Sequence, residues 1–284
     1  MKKILVTGSK GFVGRRLISL LLKKDYELIE TGTSKDADLC DWQVLENLPK
    51  VDIIVHLAAK SFVPDSFKKP LDFYNNNISS TLNILEKAKI DGARVIFLST
   101  YVYGSPEYLP IDEKHVKAPQ NPYTQSKIMG EELCVAYNRD FNVPITIFRP
   151  FNIYGSGQGD AFFIPTIINQ LNNEQILLND SRPKRDFIYV DDVVDAIYKA
   201  IVMNESAIHI YNLGTGVSTS VKNVVEMLVH FSDSKANVVF SEIMRQGEVM
   251  NTIADISKIN SELKWSPSIT IDAGLKLCLE HNNL

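Results

Sequence analysis

The sequence has only three cysteines, Cys40, Cys134 and Cys278, in 284 residues. They are odd in number and far apart, so neither a disulfide framework nor a zinc spacing follows, and a reducing compartment is the simplest reading. No basic excess exists either: 30 Lys and Arg against 34 Asp and Glu leave a net charge of −4. That balance argues against a nucleic-acid partner, whose binders carry a basic stripe. Long hydrophobic runs are also missing. The start Met1-Lys2-Lys3-Ile4-Leu5-Val6 is like the opening of a signal peptide, but its apolar run stops at Thr7-Gly8, short of the roughly 7–15 residues such a segment needs. No stretch approaches the ~20 apolar residues that span a bilayer. The expectation is a soluble cytoplasmic protein with no membrane partner and no metal site.

What is there is ordinary globular composition, 45% hydrophobic and 23% charged, enough for one large α/β domain or a main domain with a smaller lobe. Ile4-Leu5-Val6 is a short β-branched run that stops at a glycine, which predicts a buried parallel strand. Phe12 to Lys24 follows with helical periodicity, Val13, Leu17 and Leu21 forming its apolar face. Further strands are predicted at 26–29, 51–57, 94–98 and 145–148, with a helix over 76–89 that turns Ile78, Leu82 and Leu85 to one side. Strands alternating with helices over about 150 residues imply βαβ units and a Rossmann-type, doubly wound parallel sheet. After residue 150 the rhythm loosens until a strand at 186–190 and an amphipathic helix from Asp192. The chain is therefore expected to be α/β, with a dinucleotide-binding domain at 1–150, rejoined by about 187–215, and a smaller C-terminal substrate-binding lobe within 151–284.

Thr7-Gly8-Ser9-Lys10-Gly11-Phe12-Val13-Gly14 ends the first strand and opens the first helix, as a dinucleotide site requires. One glycine makes the turn, the next lets backbone approach the pyrophosphate, and the third packs helix on strand. Amides and the positive helix end would hold the phosphates. A carboxylate after the second strand would select NAD by gripping the adenosine ribose. That position falls near Gly32, followed by Thr33, Ser34 and Lys35, and two hydroxyls with an ammonium suit the 2′-phosphate of NADP. If Glu30 points into the site, the preference reverses to NAD. Asp38-Leu39 lies where a loop could touch the adenine, or is a solvated turn.

Asn121-Pro122-Tyr123-Thr124-Gln125-Ser126-Lys127 combines an N-cap, a proline at N1 and a helical run. Tyr123 and Lys127 share a face. A phenol titrates near pH ~10, and a neighbouring ammonium would lower it, fitting Tyr123 for proton exchange with a sugar hydroxyl. Chance supplies such pairs too; what raises this one is its place after the strand at 94–98, which ends in Ser99-Thr100. A hydroxyl there could meet a substrate oxygen, or merely cap the strand.

Together with His56-Leu57-Ala58-Ala59, Asn77, Arg149-Pro150-Phe151-Asn152, Arg185-Asp186-Phe187-Ile188-Tyr189-Val190-x-Asp192, Asn212-Leu213-Gly214 and Arg245-x-Gly247-Glu248, these segments resemble the extended short-chain dehydrogenase/reductase family. That branch contains nucleotide-sugar epimerases, dehydratases and reductases. The resemblance covers nearly the whole chain. It implies a catalytic triad of Ser99, Tyr123 and Lys127, with Lys127 also holding the nicotinamide ribose. It places Phe12, Val13, Leu57, Ala58, Ala59, Asn77, Tyr123 and Pro150 beside the cofactor, NADP or NAD. It further implies that Thr100, Asn152, Arg185 and Arg245 meet a nucleotide-diphosphate sugar and Glu248 its ribose, and that the chain forms a homodimer through the helices at 76–89 and 122–138.

Two departures from the family narrow the expected reaction. Thr100-Tyr101 stands where the 4,6-dehydratases carry Asp-Glu, so dehydration is not expected. The acidic residue of the UDP-galactose type 4-epimerases is missing after the second strand. The leading expectation is reduction of a nucleotide-linked 4-keto-6-deoxyhexose at C4, the alternative an NDP-hexose 4-epimerase. A dinucleotide sensor without catalysis is a third reading, opposed by the retained Tyr/Lys pair.

Overall fold

A computed structural model describes residues 1–32, 38–203, 207–244 and 247–284. In chain order these form β1 (Lys2–Thr7), α1 (Phe12–Leu21), β2 (Tyr26–Thr31), α2 (Trp42–Glu46), β3 (Ile53–His56), α3 (Val63–Lys68), α4 (Pro70–Asp91), β4 (Arg94–Leu98), α5 (Pro122–Phe141) and β5 (Ile145–Pro150). They continue with β6 (Asn152–Tyr154), α6 (Phe163–Ile168), β7 (Gln175–Leu178), β8 (Lys184–Tyr189), α7 (Val190–Val202), β9 (Ile208–Leu213), β10 (Ser218–Ser220), α8 (Val221–Phe231), β11 (Asn237–Phe240), α9 (Ser257–Leu263) and α10 (Ile271–His281). No helix among the described residues is long and apolar enough to cross a membrane.

Six strands make one sheet in the order β2-β1-β3-β4-β5-β9. The pairs from β2 through β5 are parallel, with Leu5 opposite both Ile29 and Ile54. This is the Rossmann-type α/β sheet expected from the alternating pattern. Its central strands are buried on both faces, Ile4, Leu5, Val6 and Phe97 all at 0% exposure, because helices cover each side of a parallel sheet. The strand order turns back at β1, and at such a switch point the strand ends open a crevice where ligands bind.

Two helices differ in detail from the sequence expectation. In α1 the buried residues are Gly14, Leu17 and Leu21, while Val13 is half-buried. Helix α4 starts at Pro70, with proline at its first position. Its buried stripe runs Phe73, Asn77, Ser80, Thr81, Ile84, Leu85 and Ala88, and Leu82 faces outward at 40% exposure. Asn77 and Thr81 take part in that stripe because they are hydrogen-bonded inside, so an apolar period alone puts the face one position off.

The chain divides into two compact units, one of Met1–Gly104, Val116–Pro150 and Val194–Tyr211, the other of Ser105–His115, Phe151–Val193 and Asn212–Leu284. In the second, β8 pairs parallel with β6 and antiparallel with β10, and β7 pairs with β11. Two buried carboxylates organise it. Asp186 accepts from Thr215 N and Oγ1 (both 2.7 Å), Gly216 N (2.9 Å) and Ala254 N (3.0 Å). Asp192 accepts from Ser268 N and Oγ and from Ile269 N at 2.7–3.0 Å. Backbone donors that would otherwise be stranded are satisfied by charge-assisted bonds.

Candidate active site

A cavity of about 300 Å³ opens at the ends of β1, β2 and β3. Gly8, Gly11, Asp38, Leu39, Leu57, Ala58 and Ala59, all expected at the cofactor, line it. Gly8 has φ +67°, and a Cβ there would lie 2.9 Å from Ala58 N, so only glycine fits both the turn and the approach of β3. A Cβ on Gly14 would run into the Gly8 carbonyl. Gly11 caps α1 without a side chain, and no acid sits in the first turn, leaving the positive helix end facing the loop. The cradle fits a dinucleotide pyrophosphate.

The lining also includes Lys10, Thr31, Gly32, Lys60, Asn76 and Ser80, which the sequence reading left outside the site. Lys10 could have been found, since it sits within the glycine loop; a serine in mid-helix such as Ser80 gives no signal. Glu30 is exposed and lies outside the lining, while Gly32 stands in it. Asp38 is occupied locally, its Oδ1 accepting from Cys40 N at 3.0 Å. Thr33, Ser34 and Arg245 lie outside the described residues.

Asn77 is corrected from cofactor ligand to internal brace. Only 2% exposed, its Oδ1 accepts from Lys60 N (2.8 Å), and its Nδ2 donates to Lys60 O (3.0 Å) and Ser126 Oγ (2.9 Å). Ser126 in turn donates to the Tyr123 carbonyl at 2.7 Å. Behind Asn77 the proton inventory can be assigned completely. Thr7 Oγ1 accepts from Leu57 N and Ala58 N, so its own proton goes to His56 Nδ1 at 2.8 Å. Thr81 donates to Asn77 O, so it accepts from His56 Nε2 at 3.2 Å. His56 is thus the neutral Nε2–H tautomer, and burial, with the Lys127 charge, pushes its pKa down to about 3.

Tyr123 and Lys127 lie one turn apart in α5, whose N-cap Asn121 accepts from Thr124 N at 2.8 Å. The Tyr123 ring meets Phe73 edge-on, with centroids 6.5 Å apart. Lys127 is 3% exposed, its ammonium 4.0 Å from the Phe97 ring centroid, a cation–π arrangement.

Two expectations fail here. Ser99 turns away from Tyr123: its Oγ donates to Glu131 Oε1 at 2.6 Å in the interior. Thr100 is the side chain that acts on the Tyr123 hydroxyl, drawing its pKa down. Alternate residues leaving a strand point to opposite faces, so only one of the two can serve. The phenol is also not acidified by Lys127. Burial pushes Tyr123 above its ordinary range, and the Thr100 bond offsets this only in part. At neutral pH the group holds its proton. Thr100→Val is expected to lower turnover about 10²-fold. Ser99→Ala, by stripping a donor from buried Glu131, costs about 1–3 kcal/mol of stability and affects turnover less. Steady-state kinetics and urea unfolding of both variants check this.

Burial lowers Lys127 to about 8, against an opposing pull from Glu131. The fold therefore disfavours the ammonium, and this cost is fully present below pH 8. Between pH 8 and the ordinary 10.5 the unfolded chain holds the extra proton, so this group makes stability rise with pH. Lys127→Met is expected to unfold at higher temperature than the parent at pH 7, with the advantage fading above pH 10.5. A variant less stable at pH 7 would contradict it.

In the second unit, Arg185 and Glu248 are brought together as an ion pair, both partly buried. Asn152, on β6, pairs opposite Phe187 of β8, its Nδ2 donating to Asp186 O at 3.4 Å. Pro150 is buried at the end of β5.

A glycine cradle at a sheet switch point, with a tyrosine and lysine in register on a following helix, defines a dinucleotide-dependent oxidoreductase. Residues 4–214 match the model of the NAD dependent epimerase/dehydratase family, and the chain belongs to that family, within the extended short-chain dehydrogenases/reductases. It is accordingly an NAD(P)-dependent enzyme of the nucleotide-sugar branch. It is similar to a putative UDP-glucose 4-epimerase of Methanocaldococcus jannaschii, 34% identical over 96% of each chain. It is similar also to a GDP-6-deoxy-D-mannose reductase of Pseudomonas aeruginosa, 29% identical over 98% of this chain and 96% of that one. A Pseudomonas aeruginosa structure solved with NADPH superposes with a TM-score of 0.90 at 27% identity, covering 99% of this chain and 98% of the other.

Proposed function

We propose that the protein is an NADPH-preferring reductase of a nucleotide-linked 4-keto-6-deoxyhexose, acting at C4. The observation that carries this is Tyr123 kept as a neutral phenol beside the Thr100 hydroxyl, a group arranged to give a proton. Supporting it, Gly32 stands in the wall directly after β2, and Lys10 lines the same cavity. The related reductase and the NADPH-bound structure point the same way.

When bound, the nicotinamide supplies the hydride to C4 of the sugar. Thr100 orients the C4 oxygen by hydrogen bonding, and Tyr123 delivers its proton to that oxygen as charge develops there. Lys127, on the same helix face, would hold the nicotinamide ribose, and solvent returns a proton to the phenolate left behind. In the second unit Asn152 and Arg185 would hold the diphosphate, Arg185 in fork geometry, and Glu248 the nucleotide ribose, exchanging its ion pair for a hydroxyl. Arg245 is proposed to join them. The chain is further proposed to be a homodimer through α4 and α5, which expose Leu82 and Ile90, and Met129 and Val135, at 37–60%; a monomer in sedimentation would contradict it.

A second reading, a 4-epimerase, is favoured by the relation to the Methanocaldococcus protein. Purified protein incubated with GDP- and dTDP-4-keto-6-deoxyhexoses should oxidise NADPH, and with UDP-glucose or UDP-galactose should do nothing. Interconversion of the UDP-hexoses without added cofactor would overturn the reductase reading in favour of the epimerase.

A further inference from the structure

The motif Asn212-Leu213-Gly214 and the segment Ser105–His115 have no part in the chemistry described so far. The segment belongs to the second unit, whereas the chain on either side of it, up to Gly104 and from Val116, belongs to the first. It is an irregular strap with internal ties. Glu107 N donates to His115 Nε2 at 3.0 Å, and Asp112 Oδ1 accepts from Tyr108 OH at 2.8 Å and from Lys114 N at 3.0 Å. Its base is pinned within the first unit, where Ala118 N donates to Val102 O at 2.9 Å. Gly104 has φ +64°, and a Cβ there would lie 2.6 Å from Ala118 O, so only glycine lets the two legs close. Thr100 stands two residues before this pin and Tyr123 five after it.

The tip of the strap is fastened within the second unit. Ile111, fully buried, forms a parallel bridge with Ala254. Its N donates to Ile253 O and its O accepts from Asp255 N, both at 2.8 Å. Asn212, also fully buried, grips the strap twice: Nδ2 donates to Ile111 O at 2.8 Å, and the backbone N donates to Glu113 Oε1 at 2.7 Å. The rest of the motif serves the same assembly. Leu213 O accepts from Phe151 N at 2.9 Å. A Cβ on Gly214 would lie 2.6 Å from Ala254 Cβ and 2.8 Å from Asp186 Oδ2, and that oxygen accepts from Ala254 N at 3.0 Å. Asn152 follows Phe151 and Arg185 precedes Asp186, so both residues proposed for the diphosphate border the assembly that holds the strap.

We infer that Glu113 is a positioning residue for the reduction: gripped by Asn212, it fastens the strap whose base carries Thr100 and Tyr123. It acts through the strap and not on the reacting atoms. Without its carboxylate the Asn212 N–H loses this acceptor, and the strap gains a freedom that its pinned base passes on to both flanking segments. A catalytic group misplaced by about 1 Å lowers a rate about 10²-fold, so a small slackening is enough. The inference rests on the roles given above to Thr100 and Tyr123 and adds the residue that fixes their place.

The test uses full-length Glu113→Ala, Glu113→Asp and Glu113→Gln with NADPH and whichever of the GDP- and dTDP-4-keto-6-deoxyhexoses the parent reduces. Hydride transfer is followed in a single turnover, NADPH affinity by titration, and folding by thermal melting. Glutamine keeps an oxygen for Asn212 N, whereas aspartate keeps the charge and falls short of it. The alanine and aspartate variants should transfer hydride about 10- to 100-fold more slowly, with NADPH affinity unchanged. The glutamine variant should stay within about 3-fold of the parent. Parental rates in the alanine and aspartate variants overturn the inference, as does an NADPH affinity that falls in step with the rate. So does a glutamine variant as slow as the aspartate one, or an aspartate variant already unfolding at the assay temperature, which assigns Glu113 to the fold alone. If the alanine variant does not fold, the other two decide. A parent that interconverts UDP-hexoses and leaves the keto sugars untouched overturns the reductase reading and not the strap, and the same variants are then read in that reaction by the same criteria. A parent with neither activity overturns both.

Discussion

Tyr123→Phe should lower kcat by about 10²- to 10⁴-fold, the range that a positioned acid or base contributes, while leaving the dissociation constant for NADPH unchanged. The asymmetry follows from the structure. The ring keeps its edge contact with Phe73, so packing does not depend on the hydroxyl. What is removed is the phenolic proton that Thr100 acts on. Stopped-flow reduction with the keto sugar, alongside NADPH titration, separates the two quantities. Loss of cofactor affinity in step with kcat would show that Tyr123 supports the site's shape and does not act as the acid.

Glu131→Ala should cost about 3–5 kcal/mol of stability, the penalty of leaving one member of a buried ion pair alone. Glu131 and Arg149 are 1% and 4% exposed. Arg149 Nε and Nη2 reach the two carboxylate oxygens at 3.0 and 2.7 Å, Ser99 donates to one of them, and Arg149 Nη1 donates to Tyr103 at 3.0 Å. Burial works against the guanidinium charge, but Glu131 outweighs it and holds the Arg149 pKa above its ordinary value. Arginine cannot shed its proton to escape, so the alanine variant must bury a bare cation or open the structure around the ends of β4 and β5. Glu131→Gln, which keeps the shape and accepts one bond, should lose less. Urea unfolding measures both. An alanine variant within about 1 kcal/mol of the parent would mean that this carboxylate is not the counter-charge the structure describes.

The residues that announce the fold do so through backbone demands that leave marks in composition. Gly8 and Gly14 are glycines because a Cβ would strike Ala58 or the Gly8 carbonyl, and the buried strands read as short β-branched runs because helices cover both faces. Strand 94–98 and the Asn121-Pro122 helix start are found where the sequence puts them. Side-chain direction left no such mark. Ser99 and Thr100 are chemically alike, and the bond that takes Ser99 to Glu131, 32 residues along the chain, is one that local spacing does not reveal. The Tyr123–Lys127 interval was likewise legible, but its electrostatics were not: burial raises the phenol, and it is Thr100 that draws it back. The polar stripe of α4, with Asn77 bracing Lys60 against Ser126, escapes an analysis that equates burial with hydrophobicity.

Hydride transfer into the sugar is most directly read with NADPH carrying deuterium at the nicotinamide C4. After incubation with the protein and a nucleotide-linked 4-keto-6-deoxyhexose, the product's C4 should carry one deuterium per NADPH consumed, seen by NMR as loss of the C4 proton signal. A C4 without deuterium, together with interconversion of UDP-hexoses in the absence of NADPH, would contradict a reductase and leave the tyrosine serving an enzyme that returns the hydride it takes.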